Sequence, residues 1–137
     1  MVIGIHKGNK FELLIYKDLR MLGHCKRTIG SGSSDEPGDI LFEKYAIECK
    51  HYKQVRWTWL HKVWKKLEKE TKEYNKMYSN TYILLEGKRA DDHFEPIIIF
   101  RQNREPIMVM CLMSCKDKTF KGVTSYDIWK QLIGGIK

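Results

Sequence analysis

The chain has 137 residues, 25 Lys plus Arg against 17 Asp plus Glu for a formal charge of +8, and 42% hydrophobic residues. A chain of this length buries about 68–70% of its unfolded surface, which excludes a disordered tail protein, and no run approaches the ~20 apolar residues of a membrane span. Four cysteines (Cys25, Cys49, Cys111, Cys115) without a CxxC pair, and an N-terminus without a secretory apolar run, lead us to expect a soluble, cytoplasmic protein with no membrane association, and the excess of basic charge suits a polyanionic partner such as nucleic acid.

From His6 to Leu22 the residues Phe11, Leu14, Ile15, Leu19 and Leu22 recur at three- and four-residue spacing before Gly23, which predicts a first helix. Glu12 flanks its apolar stripe and can face inward at the rim, whereas Asp18 falls inside the stripe with nothing in the sequence to explain it. Cys25 to Ile29 reads as a short strand, and the Gly/Ser-rich run from Gly30 to Gly38 as a loop. Asp39 to Lys50 reads as two strands joined at Glu43-Lys44. A second helix is expected from Thr58 to Met77, with Leu60, Val63, Trp64, Leu67, Thr71 and Tyr74 on one side and Lys62, Lys65, Lys66, Lys69, Lys72 and Lys76 on the other. Residues 78–95 are ambiguous between strand, helix tail and polar insertion. Pro96–Phe100 and Ile107–Met113 read as strands flanking a turn, and Ser125–Ile133 as a short helix capped by Thr124 or Ser125, with Asp127 in its first turn. The expected fold is α/β: a single domain, residues 1–137, with a central mixed β-sheet flanked by helices.

The strands between Asp39 and Lys50 carry the chemistry. A hairpin closed at Glu43-Lys44 pairs Phe42 with Tyr45, Leu41 with Ala46, Ile40 with Ile47 and Asp39 with Glu48. Alternation then puts Asp39, Glu48 and Lys50 on one face and Ile40, Phe42, Tyr45, Ile47 and Cys49 on the other. Two carboxylates about 4.5–5.5 Å apart across a ladder repel, and a divalent cation offsets that repulsion. Two hard oxygen ligands, with the Cys49 backbone carbonyl as a further donor, suit Mg²⁺, while Lys50 can orient a water and stabilise charge on a phosphate. The plainer alternative is a solvated cross-strand ion pair between Asp39 and Lys50.

Lys7-Gly8-x-x-Phe11-Glu12, Gly30-Ser31-Gly32-Ser33, Pro37-Gly38-Asp39-Ile40 and Ile47-Glu48-Cys49-Lys50, in that order, resemble the motifs of the archaeal-type Holliday junction resolvases of the PD-(D/E)XK nuclease superfamily, which some viruses and phages also carry. The resemblance covers roughly residues 7 to 65. It implies a restriction-endonuclease-like fold, Asp39 and Glu48 as metal ligands, Lys50 as the catalytic lysine, Glu12 as a further acidic member and possible ligand, and Ser31 near the scissile phosphate; Ser33 of the same run is a further expected DNA contact. It also implies Mg²⁺ (or Mn²⁺) dependence, cleavage to a 5′-phosphate and a 3′-hydroxyl, and a homodimer whose two-fold axis suits a four-way junction.

Lys7, Lys10, Arg27, His51 and Lys53 form a basic set near the acids in sequence and are the expected DNA contacts; His51 is alternatively a general base. The helix-two lysines could track phosphates or merely be solvated. Trp57 and Trp59 could stack on bases, whereas Trp64 belongs to the apolar side. The Gly30–Ser34 run lacks the GK[ST] ending of a P-loop and fits a loop closing over DNA. A nicking or restriction-type duplex nuclease and a non-catalytic DNA-binding module are the alternative functions.

Overall fold

In the computed structural model, residues 3–28, 36–80 and 94–134 are described. The elements are α1 (Ile3–Leu19), β1 (Cys25–Arg27), β2 (Ile40–Phe42), β3 (Tyr45–Tyr52), α2 (Trp57–Asn80), β4 (Glu95–Gln102), β5 (Met108–Cys115), β6 (Lys118–Ser125) and α3 (Tyr126–Gly134). The six strands form one sheet in sequence order, antiparallel throughout except that β3 and β4 run parallel. That single parallel pair needs a crossover, and α2 lies in it. The sheet is therefore mixed and the fold α/β, as the element order predicts.

Strand alternation sorts the core into two layers. Ile40, Phe42, Ile47, Cys49, Ile97, Ile99 and Val109 face α1 and α3, where Phe11, Ile15, Leu19, Tyr126 and Trp129 meet them. The intervening positions Ile98, Phe100 and Met110 face α2, where Leu60, Trp64 and Leu67 meet them. The α2 wheel holds: Lys62, Lys65, Lys66, Lys69, Lys72 and Lys76 are all exposed, while buried Thr71 satisfies its hydroxyl on the Leu67 carbonyl one turn back, at 2.6 Å.

Some boundaries move. α1 begins before His6 and ends at Leu19, because the Leu22 and Gly23 N–H groups both turn back onto the Leu19 carbonyl. Asp18, unexplained by its helix position, accepts hydrogen bonds from the Tyr126 hydroxyl at 2.6 Å and from Lys130 at 3.0 Å, and so ties α1 to α3. Ser125 is the α3 cap, its Oγ accepting from the Ile128 N–H at 3.2 Å. β6 was not expected: none of its residues is buried, and it follows a turn in which Lys116 and Asp117 both take positive φ without Gly or Asn. The strand-or-helix ambiguity at 81–93 lies outside the described residues.

Candidate active site

The site is built where β2 stops. Pairing between β2 and β3 follows the expected register, Phe42 with Tyr45, Leu41 with Ala46 and Ile40 with Ile47, and ends there. Asp39 does not sit directly opposite Glu48 as an unbroken ladder requires. Gly38 takes φ 74°, and a Cβ on it would lie 2.6 Å from the Ile47 carbonyl oxygen, so glycine alone admits this approach. The turn carries the Asp39 N–H to that same Ile47 carbonyl at 2.7 Å. Thr28 fixes the segment from the other side, its hydroxyl donating to the Gly38 carbonyl at 2.8 Å and its N–H to the Asp39 carbonyl at 2.9 Å.

Loss of the ladder leaves the Cys49 N–H without a strand partner, and the Asp39 carboxylate replaces it, accepting at 2.9 Å. Glu48 and Lys50 stand two residues apart on the α2-facing side of β3, with Lys50 Nζ 3.7 Å from Glu48 Oε2. Only 21% of the Glu48 side chain is exposed. Burial first, and then the Asp39 charge, push the Glu48 carboxyl up to about 8 against the pull of Lys50, and Glu70 of α2 adds repulsion. From the opposite layer, Glu12 on α1 accepts from Arg27 Nε at 2.9 Å and also from Arg27 Nη2. Burial raises its carboxyl; the Arg27 hydrogen bond opposes this and the Asp39 charge adds to it. Asp39 thus lies within electrostatic reach of an acid from each layer.

The other expected residues divide. Lys10 and Lys53 are exposed and available to a polyanion. Arg27 is engaged with Glu12 through Nε and Nη2, with its side chain part exposed. His51 points to the α1 layer, away from Glu48 and Lys50: its ring packs on Phe11 with centroids 5.3 Å apart, and Nε2 lies 2.8 Å from the Asn103 carbonyl. That oxygen can only accept, so Nε2 carries a proton there. Ser31 and Ser33 lie outside the described residues, as does the side chain of Lys7. Sequence reasoning missed Glu70, which flanks an apolar stripe without a motif. It also missed Arg104, which lines a cleft with His51, Asn103 and Glu105 because β3 and β4 end side by side.

Among the described residues no three His, Cys, Asp or Glu side chains converge as a metal-ligating group. The donor set nevertheless suits one hard cation. Burial above all, and then the Asp39 charge, push Glu48 toward its protonated form, and a divalent ion offsets both the cost of burying the charge and the repulsion. Burial above all, then the Asp39 and Glu12 charges, keeps the Cys49 thiol protonated, so the backbone carbonyl is the donor this residue can offer.

A family model described as "Phage putative PDDEXK endonuclease" matches residues 5–133, and the chain belongs to that family of PD-(D/E)XK nucleases. PD-(D/E)XK nucleases generally use divalent metal ions. No curated protein matches the chain. Among solved structures it is similar to Hjc, a Holliday junction resolvase of the archaeal hyperthermophile Archaeoglobus fulgidus, at 15% identity and a TM-score of 0.48, over 94% of this chain and 96% of that one.

Proposed function

We propose that the chain is a Mg²⁺-dependent endodeoxyribonuclease that cuts branched DNA, four-way junctions foremost, and acts as a homodimer. The observation that supports this most is the meeting of Asp39, Glu48 and Lys50 at the end of β2, two oxygen donors and an ammonium group on a framework that fixes all three. In this reading Asp39, Glu48 and the Cys49 carbonyl hold the ion, which when bound neutralises phosphate charge and favours deprotonation of the attacking water.

Lys50 orients that water and stabilises the negative charge that builds on the phosphate oxygens as the water attacks in line. The bond to the 3′-oxygen breaks, the oxygen takes up a proton, and the products are a 5′-phosphate and a 3′-hydroxyl. Glu12 acts by holding Arg27 and by its charge near Asp39, rather than as a ligand. Lys10 and Lys53 contact the backbone outside the cut together with Lys7 and Ser33, while the motif resemblance puts Ser31 near the scissile phosphate. Dimer formation is supported by exposed apolar residues on neighbouring elements: Phe120 on β6 is 48% exposed and Leu132 on α3 is 60% exposed.

Cleavage of a four-way junction compared with linear duplex tests substrate choice. Preferential cutting of the junction, with symmetric nicks, is expected. Equal cleavage of both points to a duplex nuclease, and binding without any cleavage to a DNA-binding module.

A further inference from the structure

Both exposed tryptophans of the described residues sit at the start of α2, beside the Lys50 face of the sheet. Trp57 is 63% exposed and Trp59 is 44% exposed, while Trp64 and Trp129 are buried. In the β3–β4 register Lys50 is the direct partner of Phe100, and the Trp57 ring stands edge-on to the Phe100 ring with centroids 6.2 Å apart. Adjacent strands are about 4.8 Å apart, so the exposed Trp57 packs on the residue that neighbours Lys50 across the sheet. On the other flank, the Trp59 ring lies 5.8 Å from that of Tyr52, two residues beyond Lys50 on the same strand face.

The mount is rigid. The Val55 N–H donates to the Gln102 side-chain oxygen at 2.7 Å, and the Asn103 N–H donates to the Tyr52 carbonyl at 2.8 Å. These bonds pin the connection from β3 to α2 onto β4. The Arg56 carbonyl receives the first helical bonds of α2, and its guanidinium lies 5.2 Å from the centre of the Trp59 ring. Lys53 and Arg56 are both exposed in this connection. Two solvent-facing indoles flanked by cations suit a base with its phosphate: the ring stacks and the charge is neutralised.

We infer that Trp57 and Trp59 form a stacking platform for unpaired nucleobases next to the cut phosphate, making single-stranded or opened DNA at a branch the preferred ligand of this face. This rests on the nuclease reading and names the feature of the substrate that the site would select. A rigid planar ring held beside the reacting phosphate favours bases already free of a duplex, because a paired base must first be unstacked.

The two exposed indoles also supply the readout. Metal-free wild-type protein in chelator is titrated with a single-stranded oligonucleotide and with blunt duplex, following tryptophan fluorescence at several salt concentrations. Strong quenching by the single strand and weak quenching by the duplex are expected. Trp57→Ala and Trp59→Ala should each weaken single-strand affinity by roughly fivefold to a hundredfold. The salt dependence should stay unchanged, since no phosphate contact is lost, whereas Lys53→Ala should flatten its slope by about 0.7. Trp57→Phe should keep most of the affinity because it retains a stacking face.

Wild-type affinity in both alanine variants overturns the platform. So does protection of the two indoles from acrylamide that rises with protein concentration in the absence of DNA, since they would then be covered by a second copy. Protein that cleaves normally but fails these titrations loses the platform alone; protein that cuts no DNA loses the nuclease reading whatever its fluorescence shows.

Discussion

Two antiparallel hairpins of this sheet behave in opposite ways. β2 and β3 share only three paired positions, yet Ile40, Leu41, Phe42, Ala46, Ile47 and Cys49 are all buried. β5 and β6 share eight, yet Leu112, Phe120 and Val123 are exposed, and Lys118 and Lys121 stand on the edge strand. The length of a hydrogen-bonded ladder therefore says little about what a hairpin contributes. Coverage by helices decides how firmly it is held, and the firmly held hairpin can bring Asp39 and Glu48 together in spite of their repulsion. The edge hairpin carries lysines where an uncovered strand would otherwise invite pairing with other chains.

The sharpest break in the comparison is chemical. Lys50→Ala should lower the cleavage rate by about 10²–10³-fold with little change in DNA affinity or thermal midpoint. A collapse of stability with cleavage intact would make Lys50 a structural residue. Next in size, Ile47→Ala should cost about 2–5 kcal/mol in urea unfolding, because Ile47 is fully buried under the α1 and α3 layer. Val123→Ala on β6 should stay within about 0.5 kcal/mol, and equal losses at the two sites would erase the contrast.

Acidity separates the hairpins too. The Glu48 carboxyl binds its proton more tightly folded than unfolded, so metal-free protein should lose stability as pH rises from about 4.5 to about 8, with Mg²⁺ restoring more of it at the alkaline end. Glu48→Gln should abolish that slope. Persistence of the slope in the variant would place its source elsewhere. Gly38→Ala should cost about 1–3 kcal/mol and slow cleavage as well, because the left-handed turn that aims Asp39 is lost. Wild-type cleavage in this variant would show that Asp39 needs no such turn.

The same contrast explains what could be read from the sequence. The register of β2 on β3 is legible because the short turn at Glu43-Lys44 sets which residues pair, and a slip would carry Ile40 and Ile47 out of the layer they share with Phe11 and Ile15. α2 is legible because apolar and lysine positions separate cleanly around it. β6 is not, since an exposed edge strand needs no hydrophobic alternation and its turn lacks the usual glycine. The pairing of Arg27 with Glu12 and the anchoring of Asp18 by Tyr126 and Lys130 depend on contacts between elements that periodicity within one element cannot report. The departure of Asp39 from the ladder comes from one φ angle at Gly38, which the motif contains but the spacing does not reveal.

The most direct measurement is cleavage of a four-way junction by wild-type protein and by Asp39→Asn, each with Mg²⁺ and with excess chelator, after both are shown to share one circular-dichroism spectrum. Product is expected only from wild type with Mg²⁺, and Asp39→Asn should still bind the junction. Cleavage by Asp39→Asn at the wild-type rate, or undiminished cleavage in chelator, would contradict a metal site built on Asp39 and Glu48.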